Sequence, residues 1–349
     1  MANVDLTSRI YAPRRDGDTV FLKAGIYSVS ETARNMVASL PSNITLLGEP
    51  GTIIEMEGEG TILGACNKSR IRIENIELRY KTFTPNPFSS AINLRGCDGV
   101  EIRNCKISNC GASAIRSGRN AGSDATGRIF DNIGEGFGPT RNLVISDCSF
   151  INCVGPVIGF KTGGSQQVEI RNNLFDGFGT YAISAEGEGQ PQGWTSNIFI
   201  TDNTILNGSI KLRNAAYGVI FGIYIGEHAY NILVARNSIN QVGESQATFC
   251  GGVAVSTSPS QGDTRTSDIT IMDNTIDNIY GARSGAILLM PGNSNICGVD
   301  IMRNIIRKNC NWNILGIRPD TTKNLGKIKY LRHDEVLKVN LNDLVGYGV

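Results

Sequence analysis

One short pattern recurs eight times and restricts the possible folds more than any other feature of the chain. Two apolar residues alternate with polar ones, and an Asn, Asp or Arg closes the run. Examples are Ile71, Arg72, Ile73, Glu74, Asn75; Val168, Glu169, Ile170, Arg171, Asn172; and Ile269, Thr270, Ile271, Met272, Asp273. The second apolar residue falls at positions 73, 102, 145, 170, 200, 234, 271 and 301, at intervals of 25 to 43 residues. Alternation with period two predicts a short strand with one buried face. A second strand follows in each repeat, at 91–94, 114–117, 157–160, 182–185, 222–225, 252–255 and 286–289, and a third lies between the two, as in Ser149, Phe150, Ile151. Three short strands per repeat, with no helix between them and with Asn- and Gly-rich turns, predict a coil that climbs, each repeat resting on the last.

In such a coil, equivalent positions of successive repeats touch, one strand spacing of about 4.8 Å apart. Asn173, Asn203, Asn237, Asn274 and Asn304 then fall in one column, continued in earlier repeats by Ile76, Cys105 and Cys148. Stacked amides donate and accept along such a column and satisfy turn backbone that is otherwise buried unpaired. Cys110 and Cys153 share a second column with Phe178 and Val242. The chain has nine cysteines, an odd number, with no CxxC pair, and its two histidines, His228 and His333, lie far from any cysteine pair. This predicts buried free thiols and no zinc site, disulfide framework or cofactor.

Composition bounds the partners. Lys and Arg number 33 against 32 Asp and Glu, a formal charge of +1, which argues against a polybasic nucleic-acid or membrane-surface protein. No apolar run reaches the ~18 residues of a spanning helix, so no membrane insertion is expected. Residues 1–9 show no apolar run behind basic residues, so no export signal is expected. Hydrophobic residues make up 40%, enough for a packed core, and the 41 glycines suit a chain that turns every few residues. The predicted organisation is an N-terminal cap over 1–40, a coil over 41–317 and a C-terminal cap or subunit-contact element over 318–349. Residues 30–40 read as a short helix with Ser30 as its N-cap.

Over residues 18–317 the repeat resembles the right-handed parallel β-helix of the pectin-lyase-like superfamily. The resemblance implies an all-β, single-stranded β-helix of about nine turns with a helix-bearing N-terminal cap and a C-terminal cap. Asp18 to Tyr27, reading DTVFLKAGIY, is similar to the lead-in of bacteriophage tailspikes. That likeness implies a virion surface protein, a homotrimer that binds or cleaves host cell-surface polysaccharide and contacts capsid or tail proteins, without nucleic-acid partners. Two alternatives share the coil: a capsid decoration or cement protein, and a soluble polysaccharide hydrolase or lyase in the cytoplasm or outside the cell. None of the catalytic motifs of polygalacturonases, pectate and pectin lyases or mannuronan epimerases occurs in the chain.

The longest insertions flank one strand of the repeat. They lie before it at 81–90, 209–221 and 243–251 and after it at 118–141, 186–196 and 256–267, which predicts a groove along that face. Outward positions there are Asn93, Arg95, Arg116, Lys161, Ser184, Glu186, Tyr224 and Ser256, with Glu188, Glu227 and His228 just beyond the strand ends. Glycoside hydrolysis needs two carboxyl groups on either side of the scissile bond. Glu186 and Glu227 lie on neighbouring turns and are the candidate catalytic pair. Arg116 and Lys161 are candidate substrate-binding residues, and in a lyase they serve as base and carboxylate partner. Tyr224 is placed to stack on a sugar ring, with His228 beside it. Asp124, Asp131 and Glu135 read as solvated loop charges.

Overall fold

The computed structural model describes residues 6, 17–31, 36–85, 89–117, 139–160, 164–187, 194–213, 218–257, 266–290, 296–307, 309–310, 314–317, 324–328 and 336–339. Three strands per repeat stack into three sheets that run the length of the coil. The first sheet begins with Thr19–Leu22, Ile44–Gly48 and Ser69–Glu74, and the second with Gly25–Glu31, Thr52–Gly58 and Glu77–Tyr80. The third begins with Met36–Ser39, Thr61–Cys66 and Ile92–Arg95. The second sheet has ten strands and the others eleven. Every successive pair is parallel except at the C-terminal end, where Val336–Val339 pairs antiparallel with Ile296–Met302, and Asn324–Ile328 pairs antiparallel with Ile314–Ile317. Both antiparallel strands lie beyond residue 318, in the segment read as a C-terminal cap or subunit-contact element. They cover edges that otherwise offer unpaired backbone.

One expectation needs correcting at the N-terminal end. The helix expected over 30–40 is not there: Gly25–Glu31 and Met36–Ser39 are strands. The strands Thr19–Leu22, Gly25–Glu31 and Met36–Ser39 each join one of the three sheets, and residues 32–35 lie outside the described residues. The physical reason is pairing. Gly25–Glu31 lies in register with Thr52–Gly58 over all seven residues, and the gain in backbone hydrogen bonds outweighs weak helix propensity. Leu6, helical in conformation, is buried and joins the core.

The core is a set of vertical ladders. Ile73, Ile102, Ile145, Ile170, Ile200, Val234, Ile271 and Ile301 follow one another in register, and all are fully buried. The Asn column forms as expected. Asn203 accepts from both the backbone N and the Nδ2 of Asn173 at 3.0 Å, and its own Nδ2 donates to Ile170 O and Asn237 Oδ1 at 2.9 Å. The pattern repeats to Asn304, and at its other end Cys148 N donates to Asn173 Oδ1 at 2.9 Å. The residue before each rung of this column turns with left-handed backbone. Asn75, Asn104, Asp147, Asn172, Asp202, Arg236, Asp273 and Arg303 have φ between +47° and +59°, a region Asn and Asp enter more readily than most residues. Among the described residues eight cysteines are free, seven of them buried. Cys153 pairs in register with Phe178, and Phe178 and Val242 flank Gly208, as the second column requires.

Candidate functional site on the third sheet

The third sheet changes character along the coil. Ile92–Arg95, Ile115–Ser117 and Ile158–Phe160 have three or four residues, whereas Val219–Gly226, Phe249–Ser256 and Arg283–Met290 have eight. The segments 209–221 and 243–251, expected as insertions, thus end in strand: Val219 to Phe221 and Phe249 to Gly251 are already paired. A 3₁₀ turn, Ile210–Arg213, occupies part of the first.

Register sets the outward column of this sheet. Asn93, Arg116, Gly159, Ser184, Tyr224, Ala254 and Leu288 follow one another on successive strands. Two residues further along each strand, Glu186 pairs with Gly226 and Gly226 with Ser256. The outward assignments of Asn93, Arg95, Arg116, Ser184, Glu186, Tyr224 and Ser256 thus lie on one face, but that face is not the open surface expected. Asn93 is 2% exposed, Arg95 3% and Glu186 5%, while Arg116 and Tyr224 are half-buried.

The polar half of this face is electrostatically coupled. Burial lowers the Arg116 guanidinium to about 10, helped by Arg95, and Glu186 opposes the shift. The Ser184 hydroxyl donates to the Glu186 carboxylate. Burial holds the Tyr224 phenol well above its usual range, and the charges of Glu186 and, more weakly, Glu227 add to this while a Ser256 hydrogen bond opposes it. Tyr224 therefore stays a neutral hydroxyl under the influence of both carboxylates. Glu186 pairs with Gly226, so Glu227 stands one strand on and one residue further, with their backbones tied where Gly187 N donates to Glu227 O at 2.6 Å.

The other half is apolar. Phe221, Ala254, Leu288 and Met290 form a second buried cluster outside the main core, with Tyr181, Val219, Tyr224 and Phe249 against it. Tyr181, Phe221 and Tyr224 stack face to face, with ring centroids 4.8 to 5.7 Å apart. The alternation rule misplaces Tyr181 and Phe221, each two residues before a buried Ile. Ala182 and Ile183 both face the core, and this doubled step shifts the parity so that Tyr181 turns outward. The signal was present as an aromatic recurring at one register position, since Tyr181 pairs with Phe221.

The structure brings Arg116, Glu186, Tyr224 and Glu227 together. His228 goes elsewhere. It sits on the turn into the first sheet, where Glu227 and His228 have φ of +47° and +57°, and its buried ring stacks on Trp194 at 5.9 Å. Trp194 in turn meets Tyr230 edge-on at 5.8 Å. Lys161, Glu188, Asp124, Asp131 and Glu135 lie outside the described residues. Among the described residues no group of three His, Cys, Asp or Glu is placed to hold a metal ion. No described helix is long and apolar enough to cross a membrane.

Comparison with known proteins follows the same geometry. Residues 51–192 match a family model described as right handed beta helix region. A variant of the tailspike protein of E. coli bacteriophage HK620, in complex with pentasaccharide, superposes with a TM-score of 0.56 at 12% identity, over 88% of this chain and 58% of that one. The HK620 tailspike in complex with pentasaccharide gives 0.54 at 14% identity, over 86% and 57%. A hyperthermoactive exopolygalacturonase from Thermotoga maritima gives 0.43 at 16% identity, over 87% and 58%. The chain therefore spans somewhat over half the length of the tailspike chains it matches. Among curated proteins none matches the sequence. With three stacked parallel sheets, an Asn ladder at the turn and this match over residues 51–192, the chain has a right-handed parallel β-helix fold.

Proposed function

We propose that the chain is a tailspike-like bacteriophage virion surface protein that binds host cell-surface polysaccharide over the outer face of the third sheet, and cleaves it there. The observation that carries this reading is the meeting of Glu186, Tyr224 and Glu227 on adjacent rungs, with Arg116 coupled to the same carboxylate. Two carboxyl groups supply the acid and the base or nucleophile of glycoside cleavage, and a neutral phenol under their influence donates a hydrogen bond. Of the stacked rings beside them, the half-buried Tyr181 and Tyr224 offer apolar area to the C–H face of a sugar. Support of a coarser kind comes from the tailspike relatives of this fold, which carry a pentasaccharide. The proposal includes a homotrimer located in the virion, with capsid or tail proteins as its other partners.

The test is release of oligosaccharides from host surface polysaccharide. Glu186→Gln and Glu227→Gln are each expected to lower release at least about 100-fold while leaving thermal unfolding in place. Unchanged release in both variants removes the pair from the chemistry. Binding without release by the unaltered chain leaves a binding spike. Tight binding to capsid shells with no glycan binding replaces this reading with a decoration protein. Sedimentation equilibrium is expected to return three chains, and a strict monomer overturns the trimer.

A further inference from the structure

The outer face of the first sheet carries a second groove, away from the third-sheet site. Its volume is about 760 Å³, in the range of small-ligand sites, and it crosses five successive rungs. The floor is one register column: Arg72, Glu101, Val144, Glu169 and Phe199. At about 4.8 Å per strand the column extends about 19 Å, the length of a short linear oligomer. One wall comes from the position two residues earlier on each strand. There Arg70, Asn142 and Gln167 have φ of +51° to +57°, and this left-handed bend is where the side chains that line the groove stand.

Gly99 interrupts that wall. Its φ of +67° is one that its Arg, Asn and Gln counterparts also adopt, and the nearest atom to an added Cβ is 3.7 Å away. Neither backbone nor packing demands a glycine here. The missing side chain leaves the floor open beside Arg72 and Glu101.

The charges in the groove neutralise one another. Arg72 bridges Glu74 at 2.6 Å and approaches Glu101 at 4.0 Å. Arg103 reaches Glu101 at 3.3 Å, and Arg171 reaches Glu169 at 3.5 Å. The floor thus offers fixed donors and acceptors without a strong net field. With Arg70 and Arg72 balancing Glu101 and Glu169, phosphates and acidic sugars gain no electrostatic hold, and two apolar floor residues are too few for a lipid or an apolar helix. Phe199, at one end, is 43% exposed and presents an aromatic face to a ligand in the groove.

We propose that this groove binds a neutral, hydroxyl-rich linear oligosaccharide, as a non-catalytic site independent of the third-sheet pair. Vicinal hydroxyls donate to Glu101 and Glu169 and accept from Arg72, and one ring lies on Phe199.

The test uses malto-, cello- and xylo-hexaose, with tri-galacturonate as the acidic control, in ligand-observed NMR on the full chain. At least one neutral hexaose is expected to bind more tightly than the acidic trimer. Phe199→Ala and Gly99→Asn are each expected to weaken that binding at least tenfold. Asn at 99 restores the side chain its neighbours carry at a φ that Asn tolerates, so thermal unfolding is expected to stay unchanged. Glu186→Gln and Glu227→Gln are expected to leave the hexaose signal intact, which separates this site from the proposed catalytic one. The inference is overturned if no neutral hexaose binds, if the acidic trimer binds more tightly, if Gly99→Asn binds as the unaltered chain does, or if only the third-sheet variants lose binding.

Discussion

At the scale of single residues, the Asn column couples local turn chemistry to the whole stack. Asn237 is buried and its side chain makes five hydrogen bonds. Its Oδ1 accepts from Asn203 N and Nδ2, and its Nδ2 donates to Ile200 O, Ala235 O and Asn274 Oδ1. Asn237→Ala removes these and strands buried donors on Asn203, so a loss of about 2–4 kcal/mol is expected in urea unfolding. A loss below about 0.5 kcal/mol would show that water replaces the amide at no cost. The thiols belong to the same scale. Burial pushes Cys110 well up and Cys250 up to about 12, which makes them small core hydrophobes and poor nucleophiles at neutral pH. Both roles were legible from the chain alone, because a column of like residues at repeat spacing has one reading once strands stack in register. The role of His228 was not legible, since nothing in its neighbourhood in sequence announces Trp194, which lies across one rung.

At the scale of strands, the third sheet is held by a column of small residues where the chain turns into it. Ala91, Ala114, Ala182 and Ala286 occupy it on some rungs, and Gly222 and Gly252 on two adjacent ones. Those two sit tighter than their alanine counterparts. A Cβ on Gly222 falls 2.6 Å from Gly252 O and 2.9 Å from Ile239 Cγ2. Gly222→Ala is therefore expected to destabilise by about 1–3 kcal/mol through overpacking, measured by thermal or urea unfolding. An unchanged midpoint means the rung shifts to accommodate the methyl. The strands themselves were legible from alternation. Their lengths were not, because 219–221 and 249–251 lack an alternating pattern and become strand only by pairing with each other. The helix expected over 30–40 failed for the same reason: a neighbouring rung supplied partners that no isolated segment has.

At the scale of the whole molecule, the coil is nearly one-dimensional, so its ends matter more than in a globular domain. Strands Asn324–Ile328 and Val336–Val339 close two of the three sheets by antiparallel pairing. Deleting residues 318–349 is expected to expose these edges and give concentration-dependent assemblies in sedimentation velocity. A truncated chain that sediments as the full one does would deny them a capping role. The same linear build places two different surfaces on one rod, a coupled, partly apolar third-sheet face and a charge-balanced groove on the first sheet.

The sequence by itself determined the coil and its polar and thiol ladders, because a repeat of period-two strands has one way to bury its apolar face. Only the tertiary structure decided which side chains meet across rungs. It coupled Glu186 to Arg116 and to Tyr224, turned Tyr181 and Phe221 outward, sent His228 to Trp194 and opened the groove beside Gly99. These depend on register between strands 25 or more residues apart and on local shifts of parity. Such offsets carry no mark in the residues themselves, since one inserted residue exchanges the inner and outer faces of everything before it.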